Sequence, residues 1–232
     1  SGVDLTGAGL SGVRGIDLLG CPASLPPEWR CVSNPAGEFF LVGPGANLVG
    51  AELSQTTLTD DQNMELDLTG ADLTGADLTG VDLTTVTLTG VKAVSLLGCP
   101  LSLPSQWRCI ATETDTLCLV GPGANLAGID LTGMDLSGID LSDVILTEQS
   151  FDAPAHSGLH RVSQVGSGVK ALSLLGCPDG LPTGWLCVQN ASGERALVGP
   201  GADLIDADLT DADLTGVDLF GADLTGGDLS GL

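Results

Sequence analysis

Residues 66–85 read LDLTGADLTGADLTGVDLTT. The unit is apolar, acidic, leucine, threonine, glycine, and it recurs every five residues. In Ala71–Gly75, Ala71 and Leu73 lie two apart and alternate with Asp72 and Thr74. Alternation with period two sends Ala and Leu to one face and Asp and Thr to the other, which is strand geometry. The fifth residue breaks the alternation, and glycine there lets the chain turn. A strand of about four residues followed by a corner, repeated without change of hand, must coil and stack on itself. Leucine and alanine then lie inside.

A second period overlies the first. Cys21, Cys99 and Cys177 are 78 residues apart, as are Trp29, Trp107 and Trp185, and Pro44, Pro122 and Pro200. A fixed long period bears on architecture before any single residue does. Each 78-residue block interrupts the five-residue units with an insert, at about 18–45, 96–123 and 174–201. The inserts begin LLGCPASLPPEWRCV, LLGCPLSLPSQWRCI and LLGCPDGLPTGWLCV, and they end in GPG. Fifty residues separate Leu41 from Val91 and Leu119 from Val169, so the five-residue phase is kept between inserts. Proline after the first cysteine prevents a regular strand or helix there. WRCV, WRCI and WLCV are β-prone, a polar turn follows, and FFLV, LCLV or RALV completes a β-hairpin that leaves the coil and returns at the GPG corner. A lone hairpin is marginal, so a crosslink and the tryptophan are expected to hold it down.

Composition agrees with a repeat and excludes several classes. The chain has 232 residues, no Tyr, 34 Gly and 43% hydrophobic residues. That is too apolar for a disordered acidic tail. Net charge is −23 from 30 acids and 7 bases, and 23 of the acids are Asp. Aspartate suits turns and caps rather than helix interiors. Such a charge repels nucleic acid and anionic membrane surfaces, and no 18-residue apolar run is present to insert in a bilayer. The first residues, SGVDLTG, are already repeat, with no signal peptide, as in a mature product or a cut-out segment.

The ADLTG units resemble the pentapeptide-repeat family, whose signature is Ala-Asp/Asn-Leu-x-x. The resemblance covers Val3–Gly12, Ala46–Ser95, Ala124–Glu148 and Ala202–Leu232. It implies an all-β, right-handed quadrilateral β-helix, four units to a square turn, with the central Leu inward and the Asp outward. The whole of 1–232 is then one continuous solenoid with three inserted β-hairpins, about eight turns or roughly 35–40 Å at strand spacing. The square turn also implies that residue n lies under n+20. Lys92 then sits over Asp72, an opposite-charge pair. Asp203 meets Asp223, and Asp208 meets Asp228. Elsewhere Asp67 meets Thr87, Asp130 meets Ser150 and Asp140 meets His160, so the acidic surface is patchy. No cofactor is expected. Calcium between the stacked aspartates is the single exception left open.

Cysteine spacing gives three pairs: Cys21/Cys31, Cys99/Cys109 and Cys177/Cys187. Paired cysteines in a repeat without nearby metal ligands read as disulfides and as an oxidising compartment. The alternative is six reduced, packed thiols. Closing so short a loop contributes on the order of 3 kcal/mol. Cys118 aligns with Phe40 and Ala196 and reads as packed. Trp29, Trp107 and Trp185 either clamp the hairpins or form a row of exposed aromatics for sugar or a partner. Arg14, Lys92 and Lys170 are equivalent, as are Arg30 and Arg108, which suggests salt links from insert to coil or contacts between neighbouring molecules. Gln149–Gly168 keeps the count but loses the motif. Both histidines, His156 and His160, lie there beside Phe151 and Arg161, too few ligands for a metal. Asn190-Ala191-Ser192 is a glycosylation sequon.

No nucleophile–base constellation and no phosphate-binding glycine pattern is present, so catalysis is not expected. The expected function is structural: a segment of an extracellular fibre, stalk or cell-surface protein, its partners being copies of itself, end to end or laterally. Three periods make 234 residues, so copies could follow one another almost seamlessly. The alternative is a binding module. The resemblance implies a DNA mimic that occupies gyrase, and Thr59/Thr79 and Thr69/Thr89 suggest an ice-binding face. That row fails where Thr132 would meet Asp152 and Ser142 would meet Val162.

Overall fold

A computed structural model describes residues 2–58, 65–112, 115–141, 143–146 and 168–232. Two compact units divide the chain, Ser1–Asn125 and Leu126–Leu232. The described residues are all-β without helix, and their six strands form three two-stranded antiparallel sheets. The strands are β1 (Arg30–Ser33), β2 (Phe39–Val42), β3 (Arg108–Ala111), β4 (Leu117–Val120), β5 (Leu186–Gln189) and β6 (Arg195–Val198). Around them the chain forms isolated parallel bridges, one or two residues wide.

The five-residue unit is a strand residue followed by a tight turn. The Ala71 N–H donates to the Leu68 carbonyl at 2.8 Å, closing a turn over Thr69 and Gly70. Gly70 has φ 69°, as the third residue of a type II turn requires. Gln55, Asp206 and Asp211 take the same conformation without being glycine. Each insert ends in a turn of the same type, with Pro44, Pro122 or Pro200 second and Gly45, Gly123 or Gly201 third. The aspartate has a local task. Its Oδ1 accepts the N–H two residues on: Thr69 on Asp67 (2.8 Å), Thr74 on Asp72 (2.9 Å), Thr132 on Asp130 (2.9 Å) and Thr225 on Asp223 (3.0 Å). The side chain thus occupies a donor that the turn leaves unpaired. Leu68, Ala71, Leu73, Ala76 and Leu78 are all buried.

Stacking follows the twenty-residue rule in part. Asp67 bridges Thr87, Asp72 bridges Lys92, Asp203 bridges Asp223 and Asp208 bridges Asp228, all parallel. The rule fails in two places. Asn47 bridges Asp72 and Glu52 bridges Asp77, a spacing of 25. Asp130 bridges Lys170 and Asp140 bridges Gly180, a spacing of 40. The expected partners Ser150 and His160 lie outside the described residues; the bridging partners of Asp130 and Asp140 are Lys170 and Gly180. The Val169 N–H donates to the Leu146 carbonyl, so Val169 resumes the five-residue phase of Leu146. The irregular stretch around the histidines lies, but for Gly168, outside the described residues. Where the twenty-residue spacing holds, the threonines pair as expected: the Gly70 N–H donates to the Thr89 carbonyl, which sets Thr69 beside Thr89. Thr59 and Asp152 lie outside the described residues; the Gln55 N–H donates to the Thr79 carbonyl and the Gly133 N–H to the Leu172 carbonyl.

The hairpins form where expected, but their return strands do not stand away from the coil. In the first unit Leu18 bridges Phe39 and the Leu41 N–H donates to the Gly15 carbonyl. β2 therefore has a partner on each side, β1 and the chain at 15–18. The same arrangement recurs with Leu96 and Leu117, and with Leu174 and Arg195. Phe40, Leu41 and Val42 are buried, as are Cys118, Leu119 and Val120, and Ala196, Leu197 and Val198. The return strand is core.

Removing the aspartate acceptor tests the turn. Asp72→Ala should lower unfolding free energy by about 0.5–1.5 kcal/mol, while Asp72→Asn, which keeps the acceptor, should lose much less. Urea denaturation followed by circular dichroism reads both. Equal losses would assign the aspartate's contribution to its charge.

Candidate functional site

The three inserts are the repeated, non-coil feature of the chain. Disulfides join Cys21 to Cys31, Cys99 to Cys109 and Cys177 to Cys187, with Cα–Cα separations of 5.7, 5.9 and 5.9 Å. Cys31 faces Leu41 across the hairpin, and Cys21 follows the segment that borders β2 on its other side. Each bridge therefore closes a short loop over the return strand. Cys118 is free and buried, opposite Ile110, and burial pushes its thiol up to about 11. At pH 7 it is a packed thiol rather than a nucleophile.

The tryptophans are inside. Trp29, Trp107 and Trp185 are 5%, 6% and 7% exposed. Each ring lies on the first glycine of the GPG corner. A methyl group placed at Gly43 or Gly121 would stand 2.6 or 2.5 Å from the ring of Trp29 or Trp107. The ring covers the corner because nothing but glycine leaves room for it. Burial of all three fits the clamp reading and not the alternative, a row of exposed aromatics.

The arginines of the inserts bind carbonyls. Arg30 Nη1 donates to Pro27 O (2.6 Å) and Trp29 O (3.1 Å), Arg108 Nη1 to Trp107 O (3.1 Å) and Arg195 Nη1 to Leu175 O (3.2 Å). Arg14 Nη1 reaches Asn47 Oδ1 at 3.4 Å. Lys92 lies beside Asp72 on adjacent coil segments, and the Asp72 carboxylate holds the Thr74 amide. Lys170 stands between Asp130 and Asp203. Bases thus interrupt the columns in which aspartates would otherwise stack.

At the hairpin tips, Asn34 was not singled out from sequence and Asn190 was read only as part of a sequon. Asn34 donates from Nδ2 to Glu52 O (2.9 Å) and to Glu38 Oε2 (2.7 Å), and its Oδ1 accepts the Glu38 N–H (3.0 Å). Asn190 donates to Asp208 O (3.1 Å) and accepts from the Glu194 N–H (2.9 Å) and the Ser192 hydroxyl (2.8 Å). Both are buried. They fasten the tip to the coil 18 residues on. Asn190 read as a glycosylation sequon, but its amide nitrogen is turned inward and used. The recurrence of asparagine at 34 and 190, two periods apart, was the available signal.

An open crevice of about 100 Å³ lies beside the third hairpin, lined by Leu172, Val188 and Ala196 together with Asn190, Glu194 and Asp206. Phe40 takes the place of Ala196 in the first block and Cys118 in the second.

Asp4 and Asp82, one period apart, are the most shifted carboxylates. Asp4 accepts from the Ser24 hydroxyl, the Thr6 hydroxyl and the Thr6 N–H, and Asp82 from the Ser102 hydroxyl, the Thr84 hydroxyl and the Thr84 N–H. The Ser24 and Ser102 hydroxyls contribute most, and both carboxyls are held down at about 2. No group of three or more His, Cys, Asp or Glu among the described residues is placed to hold a metal ion. No helix there is long and apolar enough to cross a membrane.

A family model of pentapeptide repeats matches eight copies, at residues 65–92, 123–148 and 201–231. This chain carries pentapeptide repeats. In the first two matched segments the described leucines are buried, in the third Leu204 and Leu209 are buried while Leu229 is exposed, and the family implies a β-helix-like fold. Proteins of this family are generally non-enzymatic, structural or binding proteins. No curated protein matches, and no solved structure matches.

The tryptophan contact makes one methyl group costly. Gly121→Ala should lower stability by about 1–3 kcal/mol, since the ring must move; a thermal melt unchanged from wild type would contradict the packing. A second expectation concerns acid. Carboxyls with lowered folded-state pKa stabilise the fold above their ordinary value of 3.8, and that contribution is lost as pH falls toward about 2. The melting temperature should be flat from neutral pH down to about 4.5 and fall between about 4 and 2. Asp82→Asn should make that fall shallower, as calorimetry across the range would show.

Proposed function

We propose that this chain is a non-catalytic structural repeat protein, a segment of an extracellular fibre, stalk or cell-surface protein, built as a right-handed quadrilateral β-helix. The observation that carries the reading is the set of three disulfides, each pinning the same hairpin in the same way at intervals of 78 residues. Disulfides fit an oxidising compartment. Their repetition fits a molecule that needs the same feature at regular intervals along its length rather than one site. Copies assemble end to end or are concatenated, and the inserts are the features that repeat.

Binding-module readings have less support. The tryptophans are covered, and the Thr69/Thr89 pairing has no counterpart at Thr132, which runs beside Leu172. Lys92 and Lys170 break the aspartate columns that would imitate a phosphate track.

Electron microscopy of oxidised protein over a range of concentrations tests the reading. Linear particles that lengthen with concentration are expected, alongside unchanged supercoiling by DNA gyrase. Inhibition of gyrase at stoichiometric protein, without any particle growth, would replace the structural reading with the mimic.

A further inference from the structure

Three leucines stand out of the fold at the same place in each block. Leu19, Leu97 and Leu175 are 105%, 67% and 71% exposed, whereas the preceding Leu96 and Leu174 are buried. One exposed leucine is ordinary. Recurrence is not, because exposed positions nearby have diverged: Ala23, Leu101 and Asp179 are equivalent, as are Glu28, Gln106 and Gly184. An apolar side chain has been kept where water would accept any polar one.

The backbone holds the leucine outward. The residue two before it, Asp17, Ser95 or Ser173, has φ 53°, 53° or 47°, a left-handed corner adopted each time by a non-glycine residue. The Leu97 N–H is bound to the Ala76 carbonyl and the Leu175 N–H to the Met134 carbonyl, both at 3.0 Å. Gly98 and Gly176 follow, pressed against the coil: a methyl group at Gly98 would stand 2.8 Å from Asp77 Oδ1. The disulfide begins at the next residue, Cys99 or Cys177. The leucine cannot fold back onto the coil, and little backbone freedom is left to lose on contact.

Charge flanks it in the same order in both units. Five residues before Leu97 is Lys92, and beneath Gly98 is Asp77, itself bridged to Glu52. Five residues before Leu175 is Lys170, and beneath Gly176 is Asp135. Base and acid thus lie close to one apolar anchor, Lys92 and Lys170 also having Asp72 and Asp130 beside them, and a patch that carries both charges can complement its own copy. A two-fold axis through such a patch sets the base of one copy against the acid of the other. In the first unit the leucine site recurs after three ladder steps, Arg14 to Asn47 to Asp72 to Lys92, about 14 Å at strand spacing. A partner copy offers the same spacing.

We propose that Leu97 and Leu175, with Leu19 in the first block, are the anchors of a lateral contact with a second copy of this chain, the flanking lysine of each copy meeting the flanking aspartate of the other. This rests on the structural reading above and names the surface it uses. Sedimentation equilibrium of the full, oxidised chain from low micromolar to several hundred micromolar tests it. Wild type should show a concentration-dependent dimer. The triple variant Leu19→Ser, Leu97→Ser, Leu175→Ser should dissociate at least tenfold more readily with little change in melting temperature, since these side chains are mostly exposed. Lys92→Asp with Lys170→Asp should weaken the dimer as well, and adding Asp77→Lys with Asp135→Lys should restore it. A wild type monomeric throughout, or a triple variant that dimerises as well as wild type, overturns the contact. Linear particles on grids from the same triple variant would leave the structural reading standing while the lateral contact falls.

Discussion

Everything in this chain depends on a turn that closes every fifth residue. A leucine carbonyl accepts from the residue three on, glycine supplies the left-handed φ, and an aspartate oxygen takes up the amide that the turn leaves over. The three demands are met by leucine, glycine and aspartate in fixed order, which is why the sequence looks so poor in variety. Bridges one or two residues wide could not hold a sheet together alone. They suffice because each corner is pre-set and each inner leucine is buried against those of neighbouring segments.

The inserts solve a different problem. They add chain without disturbing the coil, since each return strand takes a place in the core between the hairpin's first strand and the segment before it. A disulfide, a tryptophan over glycine and an asparagine at the tip fasten the same excursion from three sides. The buried residue of the return strand varies from Phe40 to Cys118 to Ala196, and the hairpin keeps its register. Arg30, Arg108 and Arg195 donate to carbonyls of the inserts.

Aspartate carries two roles at once. Its Oδ1 completes the turn, and its charge lies at the surface, giving the chain most of its net charge of −23. Like charges stack directly at Asp203/Asp223 and Asp208/Asp228, an arrangement that repels. Glu52 likewise meets Asp77, and elsewhere asparagine, lysine, threonine, serine or glycine takes the neighbouring place. The lowered carboxyl pKa values of Asp4 and Asp82 belong to hydroxyl donors beside them rather than to cations.

Much of the fold was legible because it is local. The alternation of ADLTG, the GPG corner, the hairpins and the ten-residue cysteine spacing are short-range patterns, and short-range geometry decides them. Ladder register is not local. Twenty-five residues separate Asn47 from Asp72 and forty separate Asp130 from Lys170, both multiples of five, so the pattern reads on unchanged while the stack skips. The sequence by itself determined the turn, the inward leucines and the positions of the inserts. Tertiary structure alone decided which segment lies on which, that the tryptophans are covered, and that the second leucine of each LLGC faces water. Those outcomes depend on what occupies the neighbouring coil segment, which no stretch of five residues contains.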